Sequence, residues 1–484
     1  MSAAHWVRPA RPLFACLLAL GLLPAAYAAG PRAQAPEHAA AHATARAAAH
    51  ATAPAAETTI YVTRAGDSLY DIAQLYLRDP ADWTQLARLN HVSAPRHLKP
   101  GTQLRVPVAL LRQDGLSARV IATSGPATHT FGDGAALPLI VGGKLVEGEH
   151  VQTGENGFAT LELADGSHLV IPPRTALDLA TLRQTALTGS TDRIVNLKQG
   201  EVNTEVTHAT KKDDRFQIRS PSVVAGVRGT SFRVNYDGDK QSTAVEVLEG
   251  AVGVDAASHG QSASVAPAPG TPLAASTQLV AARHGSLTLA GGAVGGPVAL
   301  LDAPDLRNPG KVQDDAVVAF DLAPVSGASR YRVQVGRDAG LFDMIRDLRS
   351  DSAHAEVGAL DDGTYFVRLS AIDANGLEGM PSTYAFQRRH VSLGASAGRV
   401  DGTRDYAFRW FVDRSAGDTH FRFVLAASAD LRTPLVDRTD ITDGEAVVRD
   451  LPKGTYYWTV IAEQFEAGRY YQKASPVQSF RLDW

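Results

Sequence analysis

From about residue 116 onward, apolar residues recur at every second position. Ala159, Leu161 and Leu163, then Leu169 and Ile171, Val195 and Leu197, Val245 and Val247, and Val252 and Val254 all alternate with polar neighbours. A period of two lines one face of a strand, so each run predicts a half-buried strand. Asp165-Gly166, Gln199-Gly200, Asp237-Gly238 and Glu249-Gly250 fall between the runs and mark turns. The pattern predicts an all-β region without helix. From about Val312 a longer repeat appears. Phe320 and Trp410 lie 90 residues apart, as do Tyr331 and Phe421, and LDDGTYF at 360–366 is mirrored by LPKGTYY at 451–457. Tyr331, Val333 and Val335 alternate in one copy as Phe421, Phe423 and Leu425 do in the other. Two sandwiches of short strands are expected, with these aromatics in their cores.

One earlier stretch has a different period. Ile60 and Val62 lie on one face of a short strand, and Gly66-Asp67-Ser68 then turns the chain. Asp67 or Ser68 is placed to cap a helix. Leu69, Ile72, Ala73 and Tyr76 follow at i, i+3, i+4 and i+7, a single buried helical stripe. Asp79-Pro80 starts a second helix, proline being suited to a first turn, with Trp83, Leu86 and Ala87 on its apolar side. Pro95 and Pro100-Gly101 break the chain before a closing strand at Gln103–Val106. The predicted order is strand–helix–helix–strand, a βααβ unit over residues 60–107.

The N-terminus carries a third pattern. Arg8 and Arg11 precede an apolar run, Leu13–Leu23, and Ala26-Tyr27-Ala28 follows it. This is the order of a secretory signal peptide over residues 1–28, cleaved before Ala29. The run is shorter than the roughly 20 residues that span a bilayer. Cys16, the sole cysteine, sits inside the run rather than at its end, unlike a lipidated cysteine. Its removal leaves no disulfide and no cysteine nucleophile. Residues 29–59, Ala-rich with scattered Pro, His and Thr, bury too little to fold and read as a linker. His38, His42 and His50 have no carboxylate or thiol cluster beside them and are incidental to it. The expected product is exported to the periplasm or cell envelope, with no later segment able to cross a membrane. Retention of the leader as an anchor is the alternative.

Composition narrows the chemistry. At 484 residues the chain has room for three or four domains, taking about 100–200 residues each. A net charge of −4 implies no large basic surface for nucleic acid. No HExxH, GxSxG or Walker motif is present, so neither a cofactor nor a catalytic centre is implied. GVRGT at 226–230 has strands around it and no lysine, and reads as a structural corner where glycine supplies positive φ. Lys211-Lys212-Asp213-Asp214 neutralises itself and reads as a solvated loop. Asp373-Ala374-Asn375-Gly376 lacks the later glutamate of a calcium loop and reads as a hairpin turn.

Three resemblances follow. IYVTRAGDSLYDIAQLYL, LARLN at 86–90 and LKPGTQLRVP at 98–107 resemble the LysM domain. That likeness implies binding of peptidoglycan or another N-acetylglucosamine-containing glycan. The implied groove runs between Gly66, Asp67, Ser68 and Leu69 on one side and His97, Leu98, Lys99, Pro100 and Gly101 on the other. Loop amides would pair with N-acetyl carbonyls, and Leu69 and Leu98 would pack on acetyl methyls or sugar faces. The segment Val92–His97 is longer than in compact members. Residues 145–179, VNLKQGEVNTEV at 195–206, FQIRSPSVVAGVRGTSFRV at 216–234 and AVEVLEGAVGV at 244–254 resemble the FecR domain of envelope proteins. A β-solenoid-like module over residues 116–293 is implied. A linker at 294–311 would lead to repeats at 312–390 and 391–484 that resemble immunoglobulin-like or fibronectin type III sandwiches. The expected fold class is multidomain and mainly β.

Three functions compete. The first is a non-enzymatic envelope protein that binds peptidoglycan and presents β-modules to an unknown envelope protein. The second is FecR-type envelope signalling. The third is a peptidoglycan hydrolase, since LysM domains often accompany such enzymes.

Overall fold

The computed structural model describes residues 57–207, 211, 213–227, 229–257, 276–307, 312–413 and 418–483. The expected leader, all but the end of the Ala-rich linker, Lys212 and Arg228 lie outside them. Among the described residues no helix is long and apolar enough to cross a membrane.

Strand β1 (Thr58–Val62) pairs antiparallel with β2 (Gln103–Pro107). Between them lie α1 (Leu69–Tyr76) and, after a single 3₁₀ turn at Pro80–Asp82, α2 (Trp83–Leu89). The predicted stripe faces inward: Leu69, Ile72, Ala73 and Leu86 pack with Tyr61, Leu104 and Val106. Ser68 and Asp79 cap the two helical entries, each accepting a backbone N–H two or three residues on. Asn90 ends α2 and ties it to β2, donating to Leu86 O and Arg105 O (both 2.9 Å) and accepting from Arg105 N–H (2.7 Å).

Residues 110–115 do more than connect. Arg112 N–H donates to Tyr76 O at 2.8 Å, Leu77 bridges Leu111, and Gln113–Gly115 joins the sheet beside Ala176–Thr185. Leu187, from the next hairpin, packs on the βααβ core. The small unit is thereby seated on the module that follows.

From Ser117 to Ala299 the chain passes back and forth between two stacked sheets. Phe158–Glu162 and His168–Ile171 lie in one and Ala176–Thr185 in the other. Arg215–Arg219 with Val223–Val227, then Ser231–Asp237 with Ser242–Glu249, continue the alternation. Thr191–Glu205 belongs to both sheets. Its first half runs parallel to Arg215–Arg219 and its second antiparallel to Ser231–Tyr236. Gln199-Gly200, read as a turn between strands, is instead the bend within this one. Gly200 has φ +81°, and a Cβ there would meet Thr175 Oγ1 at 2.6 Å and Arg174 O at 2.7 Å. Leu161, Leu177, Leu197, Phe216, Val234 and Val252 fill the core of this β-roll. Gly229 holds positive φ (+71°) as a corner glycine should. Gly226 does not; it sits inside Val223–Val227, opposite Gln217 and Gly253.

Each C-terminal repeat is a sandwich. In the first, Val312–Gln313, Ser382–Arg388, Gly363–Asp373, Ala328–Gly336 and Met344–Ser350 form a sheet packed on Val318–Asp321 and His354–Gly358. In the second, Asp418–Ala426, Pro434–Ile441 and Gly454–Glu466 with its partners face Leu393–Arg399, Tyr406–Val412 and Glu445–Val448. Phe320, Tyr331, Trp410 and Phe421 are core residues, as the alternation required. The repeated Gly-Thr-Tyr has a common purpose: Tyr365 Oη donates to Asp361 O (3.0 Å) and Tyr456 Oη to Pro452 O (2.8 Å). Such a tyrosine fixes the corner where a sandwich strand begins. Asp373 accepts the N–H groups of Asn375 and Leu377, giving a hairpin turn.

The stretch read as a linker, 294–311, is packed wherever it is described. Val298–Ala299 pairs with His284 and Gly285, and Leu300 is buried against Ala244 and Leu377. Met380 N–H donates to Leu301 O at 2.8 Å. This seam joins the roll to the first sandwich.

Candidate functional site

Two loops meet beside the start of α1. The first is shaped by its own polar groups. Asp67 accepts from Tyr61 Oη (2.9 Å) and from Arg64 N–H (2.7 Å), while Gly66 takes φ +90°. Burial, then the bond to Asp67, pushes the Tyr61 hydroxyl up to about 12. Ser68 Oγ accepts from Asp71 N–H (3.1 Å) and donates to its carboxylate (2.6 Å). The second loop docks on the first through backbone. Leu69 N–H donates to Pro95 O (2.8 Å), Leu98 N–H to Asp67 O (3.2 Å) and Gly101 N–H to Thr63 O (2.8 Å). Buried Thr63 adds bonds to Lys99 O (2.6 Å) and from Thr102 N–H (2.9 Å). The long segment Val92–His97 therefore closes on the head of α1 through Pro95.

The nine groove residues come together but divide by role. Gly66, His97, Lys99, Pro100 and Gly101 are exposed, and Asp67, Ser68 and Leu98 are half-buried. Leu69 is 0% exposed, so its side chain belongs to the core and not to a sugar face. The same stripe that begins α1 at Leu69 turns that residue inward. Tyr70, next in α1, lies off the apolar stripe and is 53% exposed. An aromatic on the wet side of a first turn was the available signal. Asp67→Ala is expected to act on the fold rather than on a ligand. Removing the acceptor of Tyr61 and Arg64 should destabilise the βααβ unit by about 1–3 kcal/mol, read by chemical denaturation, with Lys99→Ala leaving it unchanged.

A second constellation lies where the roll meets the first sandwich, and the sequence did not suggest it. Arg332 grips Asp347 with two bonds, Nε–Oδ1 2.8 Å and Nη2–Oδ2 2.5 Å. Its Nη1 donates to Glu201 of the bent roll strand and to Glu378, both at 2.6 Å. From the roll, Arg233 pairs with Glu246 (3.3 Å) and Glu378 (3.1 Å) and donates to Gly379 O (2.7 Å). All six side chains are buried, none more than 7% exposed. Half-exposed Arg349 adds a contact to Glu201 at 3.3 Å. A polar cleft of about 1220 Å³ opens over the cluster, lined also by Arg174, Lys240, Arg330 and Asn375.

Four carboxylates against two buried guanidiniums cannot all ionise cheaply. Burial, only partly offset by Arg233, pushes Glu246 up to about 7. Burial acts on Glu378 in the same sense, yet Arg233 and Arg332 together outweigh it and hold that carboxyl below the usual range. The signs differ. Glu246 takes up a proton on folding between its unfolded value near 4.5 and about 7, so its contribution is lost as pH rises through that window. Glu378 contributes above its unfolded value and its share is lost as pH falls below it. Stability of this joint should peak around pH 5 and fall by up to about 3 kcal/mol towards pH 8. Melting temperature against pH should show the fall in the native chain and a flatter profile in Glu246→Gln.

Comparison with known proteins agrees with two of these regions. Residues 61–107 match the family model "LysM domain" and residues 149–253 the model "FecR protein". An uncharacterized protein of Deinococcus radiodurans is 39% identical over 49 residues, 10% of this chain, which spans 19% of that relative's length. Among solved structures, a putative anti-sigma factor from Parabacteroides distasonis is 18% identical over 30% of this chain and 57% of its own, with a TM-score of 0.22. The chicken CNTN1 FN1-FN3 domains are 12% identical over 58% of this chain and 98% of theirs, also at 0.22. Fibronectin(III)-like modules of Clostridium thermocellum CbhA are 14% identical over 36% and 90%, at 0.20. The chain thus carries a LysM domain and a FecR domain, and the domains so recognised are binding or regulatory in kind.

Proposed function

We propose that this is a non-enzymatic protein of the periplasm or cell envelope that docks on peptidoglycan through its LysM domain. The roll and the two sandwiches are then held out to a protein partner. The observation that carries this reading is the LysM match over a complete βααβ unit whose two loops are bonded to each other. LysM domains bind N-acetylglucosamine-containing glycans. Here the exposed rim of Gly66, His97, Lys99, Pro100 and Gly101, with half-buried Leu98, offers exposed backbone and one apolar contact for an N-acetyl group, although the N–H groups of His97, Leu98 and Gly101 already donate within the unit. Domain limits of 60–107, 312–390 and 391–484 go with this proposal, the expected 116–293 being widened to take in the strands at Gln113–Gly115 and Val298–Ala299.

Against an enzyme stands the buried cluster. Carboxylates from distant strands do meet below the cleft, but each is already bonded to a guanidinium. A regulatory reading is favoured by the FecR match alone. Sedimentation with purified sacculi tests the glycan claim. Leu98→Ala should weaken retention several-fold, with melting curves checking the fold because this side chain also packs on the βααβ core, and soluble N-acetylglucosamine oligomers should compete. Unchanged retention of a folded Leu98→Ala chain contradicts the proposed rim.

A further inference from the structure

Two arginine–aspartate pairs occupy the same place in the two sandwiches. Strand Asp418–Ala426 repeats Ala328–Gly336 at the 90-residue offset, so Arg422 answers to Arg332 and Asp437 to Asp347. The registers agree, Gln334 lying opposite Asp347 and Val424 opposite Asp437. The turns agree as well, with Leu341 and Leu431 both left-handed at φ +58° and +51°. Arg422 also binds in two-pronged fashion, Nε–Oδ1 2.8 Å and Nη2–Oδ2 2.7 Å.

What covers the pair differs. In the first sandwich Arg332 and Asp347 are 1% and 3% exposed beneath the roll, and Nη1 of Arg332 holds Glu201. In the second, the two side chains are 41% and 31% exposed. Among the described residues, Nη1 of Arg422 has no acceptor. Arg422 lies opposite Ile461, and alternation along that strand places Glu463 and Phe465 on the same face. Phe465 pairs with Tyr470, and Leu435 stands two residues before Asp437. Leu435, Phe465 and Tyr470 are 57%, 54% and 58% exposed. An exposed apolar group around a charge pair is uncommon on a sheet without a partner.

We infer that this face of the second sandwich is the contact between two copies of the chain. The roll cannot cover it, because the surface bearing Glu201 is already taken by the first sandwich of the same chain. The face is its own complement. A two-fold axis through it sets the spare Nη1 edge of Arg422 in each copy against Asp437 or Glu463 of the other. Leu435, Phe465 and Tyr470 then form the apolar surround. Two LysM domains per particle follow, and with them stronger retention on a polymeric surface; this consequence alone rests on the proposed function.

Sedimentation velocity on the full chain between about 1 and about 100 μM decides it, a range suited to a modest interface. The expected result is a reversible dimer, weakened about tenfold or more by Arg422→Glu and weakened likewise by Phe465→Ser. Both changes fall at exposed positions, and melting curves check that the chains remain folded. A monomer throughout the range, or a dimer whose constant neither change moves in folded protein, overturns the inference.

Discussion

Arg332→Ala is expected to cost about 3–5 kcal/mol, the range for removing one partner from a buried ion cluster. Asp347, Glu201 and Glu378 would each lose a guanidinium while staying out of water. Alanine leaves a void where a fully buried arginine stood and brings no counter-charge. The damage should fall on the roll and the first sandwich together, since Glu201 belongs to one and Asp347 to the other. Equilibrium denaturation should show one transition moved to lower denaturant, with the second sandwich unaffected. Its own core, built on Trp458, Phe408 and Phe423, shares no residue with that joint. Arg332→Met, similar in length without the charge, still leaves Asp347 without a guanidinium, while Glu378 keeps Arg233 and Glu201 keeps Arg349, and should come no closer to the native value than about 1 kcal/mol.

The contrast between the two arginines shows what a sequence can and cannot display. Local order was legible. The stripe Leu69, Ile72, Ala73 and Tyr76 is a property of eight consecutive residues, and α1 spans the same eight. The alternations of the roll and the 90-residue repeat are likewise written within short windows. Glu201, Arg233, Glu246, Arg332, Asp347 and Glu378 are different. Five of them sit on strands and Glu378 on an isolated bridge after a hairpin turn, and each looks in sequence like an ordinary wet-face residue. Burial comes from two sheets docking, and nothing within one strand records it. Arg422 has the same local setting as Arg332 and remains exposed.

The candidate groove divides in the same way. The glycine and proline turns that form its rim were readable because backbone chemistry names them: Gly66 and Gly101 both take positive φ. Which side chains face outward was not readable. Helical phase sends Leu69 into the core, and Asp67 and Ser68 are engaged in holding their own loop. The seam at residues 294–307 was not legible because Val298-Ala299-Leu300-Leu301 is a single short apolar run between Gly- and Pro-containing stretches, too short to show a period.

The second large effect concerns location on the cell wall. Removing residues 57–107 takes away the whole βααβ unit and with it, on this account, the contact with glycan. The roll retains its own core of Leu161, Leu177, Val234 and Val252 and should stay folded. Docking through one LysM domain is expected to be reversible, so the native chain should be retained by excess sacculi and released by dilution. Loss of the domain should lower the bound fraction about tenfold or more, to the level of a non-binding control.

Co-sedimentation of the native chain and of the chain lacking residues 57–107 with purified sacculi is therefore the deciding measurement. The native chain is expected in the pellet and the shortened chain in the supernatant. Equal retention of the two would contradict peptidoglycan docking by the LysM domain.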